Sequence, residues 1–229
     1  MLARLRRMAS PRDAAGMARF GIRPRTRVLG ISIRQLRKIA KEIGKSHRLA
    51  GELWKSGIHE ARILAGFVDE PDKVTEQQME RWVASFDSWD VVDQVSGLFT
   101  RTPFARKKIR EWSVREEEFV KRAAFTFIAE LAWHDTAMAD AEFERFFPLI
   151  RRAAIDDRNF VKKAVNWALR NIGKRNRALN ARAIQVAKDI RRLDSRPARW
   201  IASDTLRELT GPAVQARLSS RAGLPSVHR

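Results

Sequence analysis

The sequence predicts an all-α protein built from stacked helical repeats. From Ser32 onward, apolar residues recur at the helical period, and no segment alternates as a half-buried strand would. The motif EFVKRAA at 118–124 returns as NFVKKAV at 159–165, offset by 41 residues. This offset matches the ~40–47 residues of HEAT and armadillo units, which bury their apolar faces by stacking. We therefore expect a HEAT-like (armadillo-type) solenoid, curved into a superhelix.

The expected elements follow one another with short connections. Glycine and proline interrupt residues 1–30, which we expect to form a basic, partly irregular arm that orders on a partner. The HEAT-like repeat domain spans 31–210. In it, Ser32 caps a helix that Gly44 ends, and further helices are expected near 47–55, 59–69, 75–84, 87–100, 103–112, 116–133, 139–153, 157–173, 176–192 and 197–209. Residues 211–229 are expected to be a flexible tail.

Charge is unevenly distributed along the chain, whose formal net charge is +19. Residues 1–50 carry a net +12 and residues 151–200 a net +11, whereas residues 51–100 carry −6. Two basic ends around an acidic stretch indicate that both ends grip a polyanion. Because no amphipathic helix of the membrane-binding type is evident, nucleic acid is favoured over anionic lipid.

Several classes of protein are excluded by what the sequence lacks. It contains no cysteine, which removes disulfides, thiol nucleophiles and thiolate metal sites. The four histidines are scattered without ligand spacing, so we expect no metal and no cofactor. No apolar run reaches 18 residues, so no membrane span is expected. We expect a soluble, cytoplasmic, nucleoid-associated monomer.

Two helical segments collect residue types that suit a binding site. Trp89 and Asp93 are four residues apart, which places an indole and a carboxylate on one helical face. Lys163, Trp167 and Arg170 are spaced at i, i+4 and i+7 and share a face of the second segment. The neighbouring acid Asp90 is expected to be exposed or to cap the helix. The other tryptophans are expected in the core, namely Trp54, Trp82, Trp112, Trp133 and Trp200.

Three sequence blocks together resemble a known family. They are SWDVVD at 88–93, FVKRAA at 119–124 and FVKKAVNWALR at 160–170, in this order. The chain resembles the bacterial DNA alkylation-repair glycosylases built from HEAT-like repeats, the AlkD family, from about residue 28 to about residue 209. The resemblance implies a superhelical solenoid whose basic concave face binds duplex DNA. It also implies excision of N3- and N7-alkylated purines.

The resemblance also implies roles for individual residues. Asp93 is similar to the family's catalytic carboxylate, and Trp89 and Trp167 are similar to the two tryptophans beside the lesion. The expected contacts to the DNA backbone are Arg122, Arg170, Lys163 and, on a looser alignment, Arg37. One departure is Ser88, which stands where some members carry an additional tryptophan.

The chemistry of alkylated purines fits a single carboxylate. An N3- or N7-alkylated purine is already cationic and leaves without a general acid, whereas glycoside hydrolysis ordinarily needs two carboxylates. Asp93 would stay ionised, stabilise the developing oxocarbenium ion and orient water. No nucleophilic lysine stands out, so a monofunctional glycosylase is expected, with base flipping left open. The alternatives are a non-catalytic HEAT-like protein that recognises damaged or branched DNA by shape, and a protein-interaction solenoid.

Overall fold

A computed structural model describes residues 1–222 of the 229-residue chain. Regular structure in these residues is helical, apart from one isolated bridge between Arg27 and Ile58, so the all-α prediction is confirmed. The helices are α1 (Leu2–Arg7), α2 (Pro11–Met17), α3 (Ile33–Ile43), α4 (His47–Lys55), α5 (His59–Val68), α6 (Glu76–Val83), α7 (Trp89–Phe99), α8 (Ala105–Trp112), α9 (Glu118–His134), α10 (Asp140–Glu144), α11 (Phe147–Ala153), α12 (Asn159–Gly173), α13 (Arg177–Arg191), α14 (Arg196–Leu209) and α15 (Pro212–Ala222).

Most helix limits follow the sequence signals. Ser32 accepts a hydrogen bond from the Gln35 N–H, and the Gln35 side chain accepts one from the Ser32 N–H, which makes a capping box at the start of α3. The helix expected over 139–153 is instead two helices, α10 and α11. Pro148, near the start of α11, explains the break, because its ring would clash with the carbonyl of Glu144 in a continuous helix.

The expected flexible tail is helical as far as the structure describes it. Pro212 opens α15, where its fixed φ suits the first turn of a helix. Leu218 is buried, and the Arg217 guanidinium donates to the Lys174 carbonyl at 2.9 Å. The helix is therefore packed against the protein. Residues 223–229, the rest of the predicted tail, lie outside the described residues.

The predicted N-terminal arm contains α1, α2 and a 3₁₀ turn at Ala18–Phe20, and its irregular part is fixed by hydrogen bonds. The buried carboxylate of Glu60 accepts the backbone N–H groups of Leu29, Gly30 and Ile31, the shortest at 2.6 Å from Gly30. Gly30 has a φ of +79°, and a Cβ at this position would lie 2.4 Å from the Ser10 carbonyl oxygen. The arm is thus docked on the start of α5.

The chain divides into two compact units, Met1–Lys108 and Ile109–Arg229. In the first unit, α5 packs against α3, α4 and α7, and most of its residues are buried. Gly66 allows α5 and α7 to approach closely, because a Cβ there would lie 3.1 Å from Val95. The rings of Trp54 and Trp82 stack in the core with centroids 4.0 Å apart.

In the second unit, the two helices of the repeated motif pack directly together. Helix α9 packs against α12, and α12 against α14, which forms one layer. The matching residues Phe119 and Phe160 bring their ring centroids within 5.6 Å. Helices α11 and α13 pack on each other and on α12, and form the second layer. The repeat predicted from the 41-residue offset therefore corresponds to neighbouring helices in the structure.

Candidate functional site

Helix α7 carries the first pair of candidate residues. Trp89 and Asp93 are both partly exposed, whereas Val91, Val92 and Val95 are fully buried. The apolar side of α7 therefore fixes the helix in the core of the first unit. The two residues lie one turn apart, so an indole and a carboxylate share the side of α7 that solvent partly reaches.

A buried hydrogen-bonded pair of side chains, His59 and Asp90, anchors the first turn of this helix. His59 Nε2 lies 2.7 Å from Asp90 Oδ2, and the Ser88 hydroxyl donates to the other Asp90 oxygen. His59 is fully buried and Asp90 is 5 % exposed, so of the two roles expected for Asp90, an exposed acid or a helix cap, the exposed acid is wrong. Burial opposes ionisation of Asp90, but the hydrogen bond and charge of His59 outweigh it, and the pKa of Asp90 is lowered. The anchor fixes the turn that presents Trp89.

The N-terminal arm contacts the same turn from outside. The Trp89 indole N–H donates to the Phe20 carbonyl at 3.0 Å, across 69 positions of sequence. Phe20 itself is 70 % exposed. The Arg25 N–H donates to Asp87 at 2.9 Å, just before α7. Sequence reasoning missed this contact because Phe20 lies in an arm without helical periodicity.

Arg37 on α3 lies beside α7. Its guanidinium donates to the Gln94 side chain at 3.2 Å and lies 5.7 Å from the centre of the Phe67 ring. Gln94 follows Asp93 directly in the sequence. Arg37 is therefore an exposed cation beside α7.

Arg122 is the most buried of the candidate cations. It is 5 % exposed, and its guanidinium donates to the Phe160 carbonyl at 2.7 Å. This bond links α9 to the first turn of α12. The guanidinium therefore links two neighbouring repeats, independently of any contribution to DNA binding.

Helix α12 presents Lys163, Trp167 and Arg170 on its one solvent-accessible side. Lys163 is exposed, whereas Trp167 and Arg170 are half-buried. Arg170 is held by two carboxylates of α14: it lies 2.8 Å from Asp204 and also pairs with Glu208. The sequence did not single out either acid, although their i, i+4 spacing on α14 places both on one face.

The acids around Arg170 are themselves well partnered. Asp204 accepts a hydrogen bond from the Asn166 amide at 2.7 Å and pairs with Arg207, and Lys174 lies 3.0 Å from Glu208. Burial opposes ionisation of Asp204, but Asn166, Arg170 and Arg207 together lower its pKa. This ion network therefore holds Arg170 in a fixed position.

The tryptophans expected in the core divide into two groups. Trp54, Trp82 and Trp112 are buried, whereas Trp133 is 59 % and Trp200 41 % exposed, so the expectation is wrong for the last two. The Lys162 ammonium lies 5.0 Å from the centre of the Trp200 ring. Aromatic surface on this side of α12 and α14 therefore extends beyond Trp167.

The acidic stretch 51–100 has a structural role that its composition did not reveal. Glu60 and Asp69 are fully buried and Asp90 nearly so. Glu76 and Glu80 each lie 2.7 Å from the Lys108 ammonium. Many of the acidic side chains in this stretch are thus buried in the first unit or paired with a cation of that unit.

The candidate residues fall into two sets. Trp89, Asp93 and Arg37 belong to the first unit, and the second holds Arg122, Lys163, Trp167 and Arg170. Within residues 1–222, no group of three or more His, Asp or Glu side chains is arranged to hold a metal ion. The helices described there include none with the length and apolarity to cross a membrane.

These features define a helical-repeat protein with aromatic and charged side chains on the accessible sides of two helices. The chain belongs to the DNA alkylation repair enzyme family, whose model matches residues 1–206. The comparison with curated proteins gave no match.

One solved structure has the same fold. It is described as a new family of proteins related to the HEAT-like repeat DNA glycosylases with affinity for branched DNA structures, and it is 19 % identical with a TM-score of 0.73. The match covers 90 % of this chain and 93 % of that one, and the HEAT-like fold is confirmed. An engineered protein is 14 % identical with a TM-score of 0.40, covering 77 % of this chain and 90 % of that one. A designed armadillo repeat protein in complex with the peptide (KR)4 is 14 % identical with a TM-score of 0.36, covering 83 % of this chain and 81 % of that one.

Proposed function

We propose that this protein is a monofunctional DNA glycosylase that hydrolyses the N-glycosidic bond of N3- and N7-alkylated purines in duplex DNA. The observation that carries the proposal is that Asp93 and Trp89 lie one turn apart on the partly exposed side of α7, whose first turn is anchored by the buried His59–Asp90 pair. The family supplies the wider setting of alkylation repair.

The reaction does not need a general acid from the protein. The alkylated base carries a positive charge, so it departs with the bonding electrons and becomes neutral. Positive charge then develops on the sugar, and Asp93 stabilises it and orients the water that attacks the anomeric carbon. The π-face of Trp89 attracts the cationic lesion, an effect of ~0.5–2 kcal/mol depending on desolvation. No metal or cofactor takes part in this scheme.

In the second unit, we assign Trp167 to the lesion and Lys163 and Arg170 to the phosphates. Lys163 is exposed and available to a phosphate. Arg170 is paired with Asp204 and Glu208, so it would bind a phosphate only by sharing its donors with these acids. Arg122 would act mainly by holding α12 in place, because its guanidinium already donates to Phe160.

The test is single-turnover release of base from a duplex that contains one 7-methylguanine. Wild type should release the base, and Asp93→Asn should bind the duplex but release base at least about a hundredfold more slowly, the usual cost of losing one transition-state stabilising group. Asp72→Asn, at an exposed acid of the same unit, is the matched control and should retain the wild-type rate.

A second candidate function is shape-selective DNA binding without catalysis. It is favoured by the structural relative described as having affinity for branched DNA structures. If wild type binds DNA tightly but releases neither 7-methylguanine nor 3-methyladenine, this candidate replaces the glycosylase. A four-way junction bound more tightly than a duplex of equal length would then support it.

A further inference from the structure

A groove lies between α11 and α13 in the second unit, away from the candidate residues. Its volume is about 580 Å³, within the ~300–1,000 Å³ of small-ligand clefts. The walls are mainly apolar and are formed by Phe147, Pro148, Ile155, Val186 and Leu193. Ile155 is 59 % exposed, which leaves a large apolar side chain uncovered at the rim.

The rim of the groove is basic. Its two acids are partnered: Glu144 lies 3.9 Å from Arg182, and Asp189 lies 3.7 Å from Arg192. Arg151 and Arg152, in the last turn of α11, are exposed and form no ion pair with any residue in the described part of the chain. The charge at the rim that is not balanced by an ion pair is therefore the positive charge of Arg151 and Arg152.

The groove lies on a different helix layer from the candidate residues of α12. Helices α11 and α13 pack against α12, whereas Lys163, Trp167 and Arg170 occupy the side of α12 that remains accessible. A ligand in the groove and a ligand on the accessible side of α12 would therefore contact different helix faces.

We propose that this groove binds an acidic amphipathic helical peptide of a partner protein. Apolar side chains at i, i+3 or i+4, and i+7 would fill the space between α11 and α13, as in other helix-in-groove complexes. Carboxylates on the flanks of the peptide would pair with Arg151 and Arg152, whose planar guanidinium groups bind carboxylates with two hydrogen bonds. Nucleic acid fits less well, because an apolar wall offers no donors to phosphates. The proposal does not depend on glycosylase activity.

The experiment selects peptides from a random 16-residue library displayed on phage, using the full chain as bait. Selected peptides are labelled and their Kd is measured by fluorescence anisotropy. The groove variant combines Ile155→Asp, Arg151→Glu and Arg152→Glu, all at exposed positions. The matched control variant combines Val114→Asp, Arg106→Glu and Arg110→Glu, which are also exposed. Circular dichroism melts verify that both variants are folded.

We expect the selected peptides to be net negative, with apolar residues at helical spacing. Their Kd should rise at least tenfold on the groove variant and stay within about twofold on the control. Selection of no peptide, of basic peptides, or of peptides that bind the groove variant as tightly as wild type would overturn the proposal. So would displacement of the peptide by an unlabelled duplex, which would assign the groove to nucleic acid. A wild-type dimer in sedimentation velocity that the groove variant abolishes would assign it to a second copy of the chain.

Discussion

Helices α7 and α12 present their candidate residues in different ways. On α7, the charged partners lie behind the site: His59 and Asp90 are buried beneath the turn that carries Trp89. On α12, they lie within the site, since Arg170 is itself paired with Asp204 and Glu208. The comparison shows that charged residues near a site can either support its structure or compete with its ligand.

This difference changes what each substitution measures. A change at the α7 anchor acts on folding first and on function only through the position of Trp89. A change in the α12 network acts on the charge that DNA would meet, because the paired groups are partly accessible. Stability measurements therefore suit the first region, and DNA titrations suit the second.

The largest effect is expected at the anchor. Asp90→Ala leaves the buried His59 ring without its hydrogen-bond partner, and a buried polar group left unsatisfied costs ~1–3 kcal/mol. Urea unfolding followed by circular dichroism measures the loss in the free energy of unfolding. Asp72→Ala, at an exposed acid of the same unit, should cost less than about 0.5 kcal/mol. Equal losses in the two variants would show that the pair does not stabilise the first unit.

The pH dependence of the same pair gives a second, smaller effect. The pKa of Asp90 is lower in the folded protein than its ordinary value of 3.8, so its contribution to stability is complete above that value. The contribution is lost as the pH falls through the lowered pKa. Wild type should therefore be more stable than Asp90→Asn at pH 6, and the difference should shrink steadily below about pH 4. A difference independent of pH between 6 and 2 would contradict this account of the pair.

In the α12 network, neutralising an acid should strengthen DNA binding. Asp204→Asn retains a side chain that can bond to Asn166 but removes the charge that competes for Arg170. If Arg170 then binds a phosphate, the slope of log K against log salt should steepen by about 0.9. Fluorescence anisotropy with a labelled duplex at several salt concentrations measures this slope.

The control for this change is Asp194→Asn. Asp194 is fully exposed, lies just before α14 and pairs with Arg199. It removes the same charge without touching Arg170. An equal steepening in both variants would mean that Arg170 makes no specific contact, and that only the net charge matters.

The smallest effect is expected for Trp89→Phe. This change keeps an aromatic ring but removes the N–H that donates to Phe20, a hydrogen bond with a net contribution of ~0.5–1.5 kcal/mol. Hydrogen–deuterium exchange should become faster around residues 18–22, which the bond holds. Trp133→Phe, at an exposed tryptophan of the second unit, should leave that region unchanged.

The helices and the repeat were accessible to sequence reasoning because both depend on local patterns. The helical period, the Ser32 cap and the EFVKRAA/NFVKKAV match are each visible in a short window. One difference lies in the segment 211–229, which is expected to be flexible from its sequence although Pro212 starts α15. Proline occurs both just after the end of a helix and in the first turn of one. Here the burial of Leu218 shows that the residues after Pro212 form a packed helix.

The surroundings of the candidate site could not be predicted in the same way. Asp90 and Asp93 are three residues apart in one helix, yet one is buried against His59 and the other is accessible. Nothing in the sequence near Asp90 points to His59, which is 31 positions away. The pairing of Arg170 with Asp204 spans 34 positions, and the contact of Trp89 with Phe20 spans 69. Such contacts are set by the packing of helices and leave no local pattern.

The docking of the N-terminal arm has a consequence for the order of folding. The arm is synthesised before the groups that hold it, because Glu60, which accepts its backbone N–H groups, and Trp89, whose indole donates to Phe20, follow it in the chain. Closing these long loops costs chain entropy that is recovered only once α5 and α7 have formed. The first unit therefore cannot complete its fold in the direction of synthesis. We therefore expect the arm to reach its final position only after α5 and α7 have formed.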